Sequence, residues 1–231
     1  MKRCHAMRKR PGRFWAVYLG AGLASLFLLV GCSEDDPAGP DPRSTAAELT
    51  EQGWTQFEQG DLAGALSSFD DAIEVYSSYG PAYVGQGWTY LAQGASNSDF
   101  ESALSSYDTA ISEGEEGAEI LGGRAAANLA LSGESSLDAA VTDAQSARVW
   151  DSNFIFEHRT SFNASDLFLI ESFALAAQGY FPAALAAADS VETSGIQEAS
   201  SATWVVDSQE FTSFAEAVLA HLMKVSEQES G

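Results

Sequence analysis

The sequence predicts an all-α fold, a helical solenoid of about four helix pairs plus a C-terminal capping helix, interrupted by an aromatic-rich insertion. Three observations predict it. The block GWTQFEQG at residues 53–60 returns as GWTYLAQG at residues 87–94, an offset of 34, with six of eight letters unchanged or conservative. A second block follows each in the same order, ALSSFDDAI at residues 65–73 and ALSSYDTAI at residues 103–111. From Ala46 onward small and apolar residues recur at helical spacing. Self-similarity at this period marks stacked helical repeats, an architecture that binds other chains far more often than it performs chemistry.

The elements follow in order. Residues 33–45, SEDDPAGPDPRST, carry Pro, Asp and Gly without apolar periodicity and read as a disordered tether. Helix pairs are expected over residues 46–59 and 62–76, 81–93 and 98–112, 117–131 and 135–149, and 165–178 and 181–193, with a closing helix over residues 208–227. Ser98 and Glu101 fit a capping box at the start of the fourth helix. Two segments interrupt the array. Residues 150–165, WDSNFIFEHRTSFNAS, are rich in aromatics and are expected to pack on the solenoid. Residues 195–207 contain Trp204-Val205-Val206. Asn153–Glu157 and Thr203–Val206 can each form a short strand, and the two can pair.

The repeated positions resemble the tetratricopeptide repeat (TPR). That family places a small residue where helix A crosses helix B and a Gly at the turn. Helix B then carries a small, a bulky and a small residue. Here these are Gly53, Gly60, Ala65, Phe69 and Ala72 in the first repeat, and Gly87, Gly94, Ala103, Tyr107 and Ala110 in the second. The third gives Ala126, Gly133, Ala140, Ala144 and Ala147, with Ala where bulk is usual. The fourth gives Ser172, Gly179, Ala184, Ala188 and Val191. Small residues let helix backbones approach, and Gly accepts the left-handed conformation that ends helix A. The second repeat inserts four residues between its helices, the third inserts two, and Pro81 alone keeps the family's proline after helix B.

The resemblance implies that helix A of each repeat lines a concave groove. Trp54 and Trp88 then occupy equivalent groove positions, Phe57 and Leu91 lie one turn further on, and Phe173 takes the tryptophan position in repeat four. Such a ribbon suits a peptide or a sugar ring. The alternative for these rings is inter-repeat packing, or burial beneath the aromatic insertion. The family's basic clamp for a C-terminal carboxylate has no counterpart, since its positions in the first repeat hold Thr50, Trp54 and Glu58.

The amino end carries its own signal. Lys2, Arg3, Arg8, Lys9, Arg10 and Arg13 precede an apolar run from Phe14 to Val30, which ends in Leu29-Val30-Gly31-Cys32. Residues 1–31 read as a signal peptide. The junction resembles the bacterial lipobox, which implies lipidation at Cys32, a tether over residues 32–45 and a solenoid domain over residues 46–231. Multiple acyl chains hold a protein stably at a membrane. Ser33, in place of the Asp that favours inner-membrane retention, leans toward an outer-membrane location if the host has two membranes.

Composition limits the chemistry. All 33 acidic residues lie beyond the signal and 6 of the 11 basic ones lie within it, leaving 5 basic residues and a net charge of −28. Such a surface repels nucleic acid. The acid excess either serves a basic or cation-rich partner or is a solvated surface suited to high salt. Cys4 falls in the signal and Cys32 is the lipidation site, so the domain offers no thiol for catalysis, disulfide or metal. No His or Cys cluster supports zinc, and the acidic runs at residues 34–36 and 113–119 lack the spacing of a calcium loop. They read as solvated charge, and no cofactor is expected. His158, beside Glu157 and Arg159, is the best candidate for proton chemistry, but no nucleophile or second His accompanies it. It reads more simply as a hydrogen-bonded loop fastener. His221 in the closing helix reads as solvated or cap-packing. The expected function is a non-catalytic, membrane-anchored scaffold for a protein or peptide partner, and the second expectation is a small-ligand or glycan binder using the same aromatics.

Overall fold

The computed structural model describes Gly39, residues 41–196 and residues 203–229. The signal segment, Cys32 and the first part of the tether lie outside those residues. Nine helices occur among the described residues. They are α1 (Pro42–Glu58), α2 (Leu62–Val75), α3 (Gly80–Gln93), α4 (Asn97–Ser112), α5 (Ala118–Leu131), α6 (Glu134–Trp150), α7 (Ala164–Ala177), α8 (Phe181–Ala188) and α9 (Phe214–Glu229). Successive helices pack as pairs, α1 also touches α3, α3 touches α5 and α5 touches α7, and α9 closes the array against α7 and α8. The fold is therefore the expected all-α solenoid of four pairs and a cap.

Local chemistry sets the ends. The Asp61 carboxylate accepts from the Gly64 amide at 3.0 Å to start α2. Left-handed residues occupy the turn within each pair, namely Gly60, Gly94, Ser132 and Gly179 at φ 79°, 44°, 51° and 85°. Each pair then closes on a row of buried alanines, with Phe69 and Tyr107 as the large knobs. The Phe69 ring sits in a notch between Gly53 and Gly85, where an added Cβ would come within 2.6 and 2.3 Å of it. Tyr107 sits likewise between Gly87 and Gly123, at 2.7 and 2.3 Å. Glycine is required there by the closeness of the ring.

Two arginines clasp neighbouring pairs. Arg124 on α5 donates from Nε and Nη2 to Asp143 on α6 at 2.8 and 2.7 Å, and from Nη1 to Asp108 on α4 at 3.1 Å. Arg148 on α6 pairs with Glu171 on α7, donates to the Leu167 carbonyl oxygen and lies over the Phe168 ring.

Several expectations are corrected. Helix α1 begins at Pro42, taking in the last residues assigned to the tether. Asp41 caps it and Pro42 stands in its first turn, where a missing amide hydrogen costs nothing. The capping box of α4 is formed by Ser96 and Asp99, not by Ser98 and Glu101. In the third pair the register moves by one residue. Ala125 is fully buried while Ala126 is half-buried, and the left-handed turn residue is Ser132, not Gly133. Helix α8 stops at Ala188, where the Asp189 carboxylate turns to accept from the Ser194 amide. Trp204–Val206 (β1) pairs with Gln209–Phe211 (β2), not with the insertion, across a two-residue turn at Asp207 and Ser208 with both φ positive. That hairpin delays the closing helix to Phe214. His221, read as solvated or cap-packing, takes the second role, buried in the closing helix with its Nε2 3.1 Å from the Glu192 carbonyl oxygen.

Candidate functional site

Of the groove residues singled out in the sequence, Trp54 and Phe57 lie on α1, Trp88 and Leu91 on α3 and Phe173 on α7, and the insertion between α6 and α7 packs on α1 and α3. The insertion starts with a turn in which the Asp151 carboxylate accepts from the Asn153 amide at 2.9 Å. Residues 154–156 then run extended and Glu157 and His158 turn the chain, the Arg159 amide donating to the Phe156 carbonyl at 3.1 Å. Phe154 and Phe156 point inward and are buried, while Ile155 between them points outward and is 60% exposed. The chain folds back on itself. The Phe156 amide donates to the Phe162 carbonyl at 2.9 Å and the Ala164 amide to the Phe154 carbonyl at 2.8 Å, bracketing a bridge between Ile155 and Asn163. Asn163 and Asp166 then form the capping box of α7.

This loop is an aromatic plug. The Phe156 ring stacks on Trp88 with centroids 3.9 Å apart, and meets Trp54 and Phe57 edge-on at 5.9 and 6.2 Å. Phe162 meets Trp88 edge-on at 5.1 Å. His158 stacks flat on Trp54 at 3.8 Å, and its Nδ1 lies 2.8 Å from Glu58 Oε1 on α1. His158 is thus the loop fastener that the sequence suggested, and its carboxylate partner is Glu58, far off in sequence. Trp54, Phe57 and Trp88 are consequently buried, so the open aromatic ribbon is covered by the insertion. Phe173 does not join them. It packs in a separate apolar cluster with Leu185, Val218 and Leu222.

The plug leaves a cavity on either side. One, of about 440 Å³, is lined by Trp54, Val84, Glu115, Glu116, Glu119, Trp150, Asp151, Phe154 and His158. The other, of about 390 Å³, is lined by Trp88, Leu91, Ala126, Arg159, Phe162 and Asp166 among others. Of the sequence-predicted contacts, Trp54 therefore edges the first cavity, Trp88 and Leu91 edge the second, and Phe57 and Phe173 edge neither.

The electrostatics of the first cavity are one-sided. Glu119 has its pKa raised, first by burial and then by Glu157 and Glu115, while His158 pulls it down. Beneath it the Tyr107 hydroxyl, wholly buried against Gly123, has its pKa raised well above the ordinary value by burial and by Glu119. Among the described residues, that hydroxyl and Trp88 Nε1 are buried without a hydrogen-bond partner. Sequence reasoning missed Trp150 and Glu119. Trp150 ends α6, outside the helix A positions on which the search was centred, and Glu119 belonged to a run read as solvated charge. Trp150 is 58% exposed beside Val149 at 88%, an unusual outlay of apolar surface.

No family model matches the chain, and no curated protein sequence matches it. Among solved structures it is similar to YrrB, described as a TPR protein with an unusual peptide-binding site. The TM-score is 0.51 at 17% identity, over 79% of this chain and 87% of that one. At that identity the likeness concerns the fold. Together with the paired helices, the left-handed turns and the aromatic knobs between small residues, it makes this chain a helical-repeat solenoid of TPR-like fold.

Proposed function

We propose that this chain is a non-catalytic scaffold, lipidated at Cys32 and held at the cell envelope, whose solenoid receives a protein or peptide partner. The observation that carries the reading is the pair of open cavities beside the plug, each keeping an aromatic or apolar residue of the helix A face at its edge. The TPR-like fold and the peptide-binding site ascribed to YrrB support it. The lipobox-like junction at Cys32 supports the anchor, and Ser33 favours the outer membrane of a two-membrane cell. The His158–Glu58 pair is taken up in stacking and fastening, which supports a role without catalysis.

The test is photocrosslinking in cells, with the crosslinker at Val149, which adjoins Trp150 and lines a neighbouring cavity with it, or at Ser105, an exposed position on α4. Recovery of the same partner from Val149 but not from Ser105 supports the scaffold. Equal background from both sinks it. In parallel, Cys32→Ser should release the protein from the membrane fraction. A small-ligand or glycan binder is the second reading, favoured by cavity volumes suited to a compact solute. Fluorescence quenching by sugars without any crosslinked protein would select it.

A further inference from the structure

We propose that the cavity beside Trp54 is an arginine subsite, taking one guanidinium side chain of the partner peptide. The inference rests on the scaffold reading above and names the chemistry of one of its contacts.

The walls come first. Acidic side chains occur all over this protein, and most face open water. Here Glu115, Glu116, Glu119 and Asp151 share a cavity of about 440 Å³ with Trp54, Phe154 and Trp150. Charge and aromatic surface are therefore presented to the same occupant. Trp150 also lines a neighbouring cavity with Ile111, Ile120 and Leu121, so space opens on more than one side of its indole. The flat face of Trp54 is already covered by His158. Stacking of a ligand thus falls to Trp150, whose surface is mostly exposed.

The second argument is the missing positive charge. Among the described residues, the nearby basic side chains are committed elsewhere. Arg124 is held by Asp143 and Asp108, Arg148 by Glu171 and the His158 ring by Trp54 and Glu58, while Arg159 lines the other cavity with Asp166. The N-terminus of α5, which enters the cavity at Gly117, contributes about half a positive charge. Four carboxylates outweigh it. Asp151 is partly used by its own turn, and Glu115 lies against Gly80 at the start of α3. Glu119 is half-buried, and among the described residues its carboxylate makes neither a hydrogen bond nor an ion pair. Partial burial of a carboxylate without a partner carries a desolvation cost, and an incoming cation lowers it.

The third argument selects arginine over lysine. A guanidinium is planar and weakly hydrated, stacks on an indole face and presents a fork of donors to carboxylates at its edge. A cavity with an exposed tryptophan and several carboxylates satisfies both surfaces of that group. An ammonium uses the charge and forgoes the fork.

The experiment uses the full-length lipidated protein in detergent micelles and the capped peptide Gly-Ser-Arg-Ser-Gly. Counterparts carry lysine, glutamate or citrulline, the neutral isostere of arginine, at the central position. Titrations into the millimolar range are followed by tryptophan fluorescence and calorimetry. The arginine peptide should bind saturably, and citrulline should weaken binding by about 10-fold or more. Trp150→Ala and Glu119→Gln should each cost about 10-fold with circular dichroism unchanged. Binding should also fall with added salt. Absence of saturable arginine binding, equal binding of citrulline, or indifference to both substitutions overturns the subsite. If Val149 still captures a partner while arginine shows no preference, this inference fails and the scaffold stands. If arginine binds and no partner is ever captured, the scaffold fails and the subsite stands.

Discussion

The imidazole of His158 lies parallel to the indole of Trp54, 3.8 Å away and 5° from coplanar, while its Nδ1 contacts Glu58 one turn along the same helix. One side chain of the insertion is thus held by two groups of α1. The stack supplies apolar contact and the carboxylate fixes the ring's rotation.

Replacing His158 tests that fastening. His158→Ala removes a stacked pair and a partly exposed hydrogen bond, each worth about 1 kcal/mol. The melting temperature should drop by roughly 4–8 °C, at about 2–4 °C per kcal/mol for a domain of this size. Thermal denaturation followed by circular dichroism checks it. A variant that melts with the wild type would show that the stack does not restrain the loop.

Phe156 and Ile155 are neighbours with opposite fates. Phe156 is fully buried between Trp88 and Trp54, so Phe156→Ala should cost about 3–5 kcal/mol. Ile155 faces solvent, and Ile155→Ser should change stability by less than about 0.5 kcal/mol. Urea denaturation separates the two. Comparable losses would mean that the loop does not alternate as described.

Glu119 gives a pH-dependent signature. Its folded pKa is raised, so its contribution favours the fold when protonated, below the unfolded value, and is lost as pH rises through the folded value. Glu119→Gln should therefore raise the melting temperature at pH 7. The gain should shrink toward zero as the pH falls below about 4, where the native residue is itself neutral. A gain that persists unchanged in acid would point to packing instead of charge.

Ser132 stands at φ 51° at the end of α5, where the first, second and fourth pairs use glycine. Ser132→Gly should stabilise the protein by up to about 1 kcal/mol, because only glycine adopts this conformation freely. Gly133→Ala should be nearly silent, since Gly133 is extended at φ −72°. If Gly133→Ala proves the more damaging change, the register of the third pair is wrong as described.

The repeats were legible because their letters are also their mechanics. Gly53, Phe69, Gly87 and Tyr107 recur where ring must meet bare backbone. The third pair was harder to place because Ala125, Ala126 and Ala127 stand in a row. Any of them satisfies a rule asking only for a small residue; burial excludes Ala126 but leaves Ala125 and Ala127 alike, and the meeting of Tyr107 with Gly123 sets the register. The insertion was expected to pack on the solenoid, and it does. Burial of Trp54 and Trp88 beneath it was one of the readings open in the sequence; that His158 would meet Glu58, one hundred residues away, no local pattern encodes. The hairpin at Asp207 and Ser208 lacked the Asn-Gly signature that marks such turns. Trp150 and Glu119 went unnoticed because each looks ordinary in its own segment and acquires meaning beside the other.

Stacked repeats usually touch only the next in line, so an array of them can fray from one end while the rest stays folded. The contact between His158 and Glu58 spans one hundred residues of sequence and breaks that rule. A segment made after the third pair reaches back to the first, as a strap returns to its buckle. The first three pairs should therefore melt in a single step, and the nascent chain should gain its full rigidity only once the sixth helix and the loop beyond it have been synthesised.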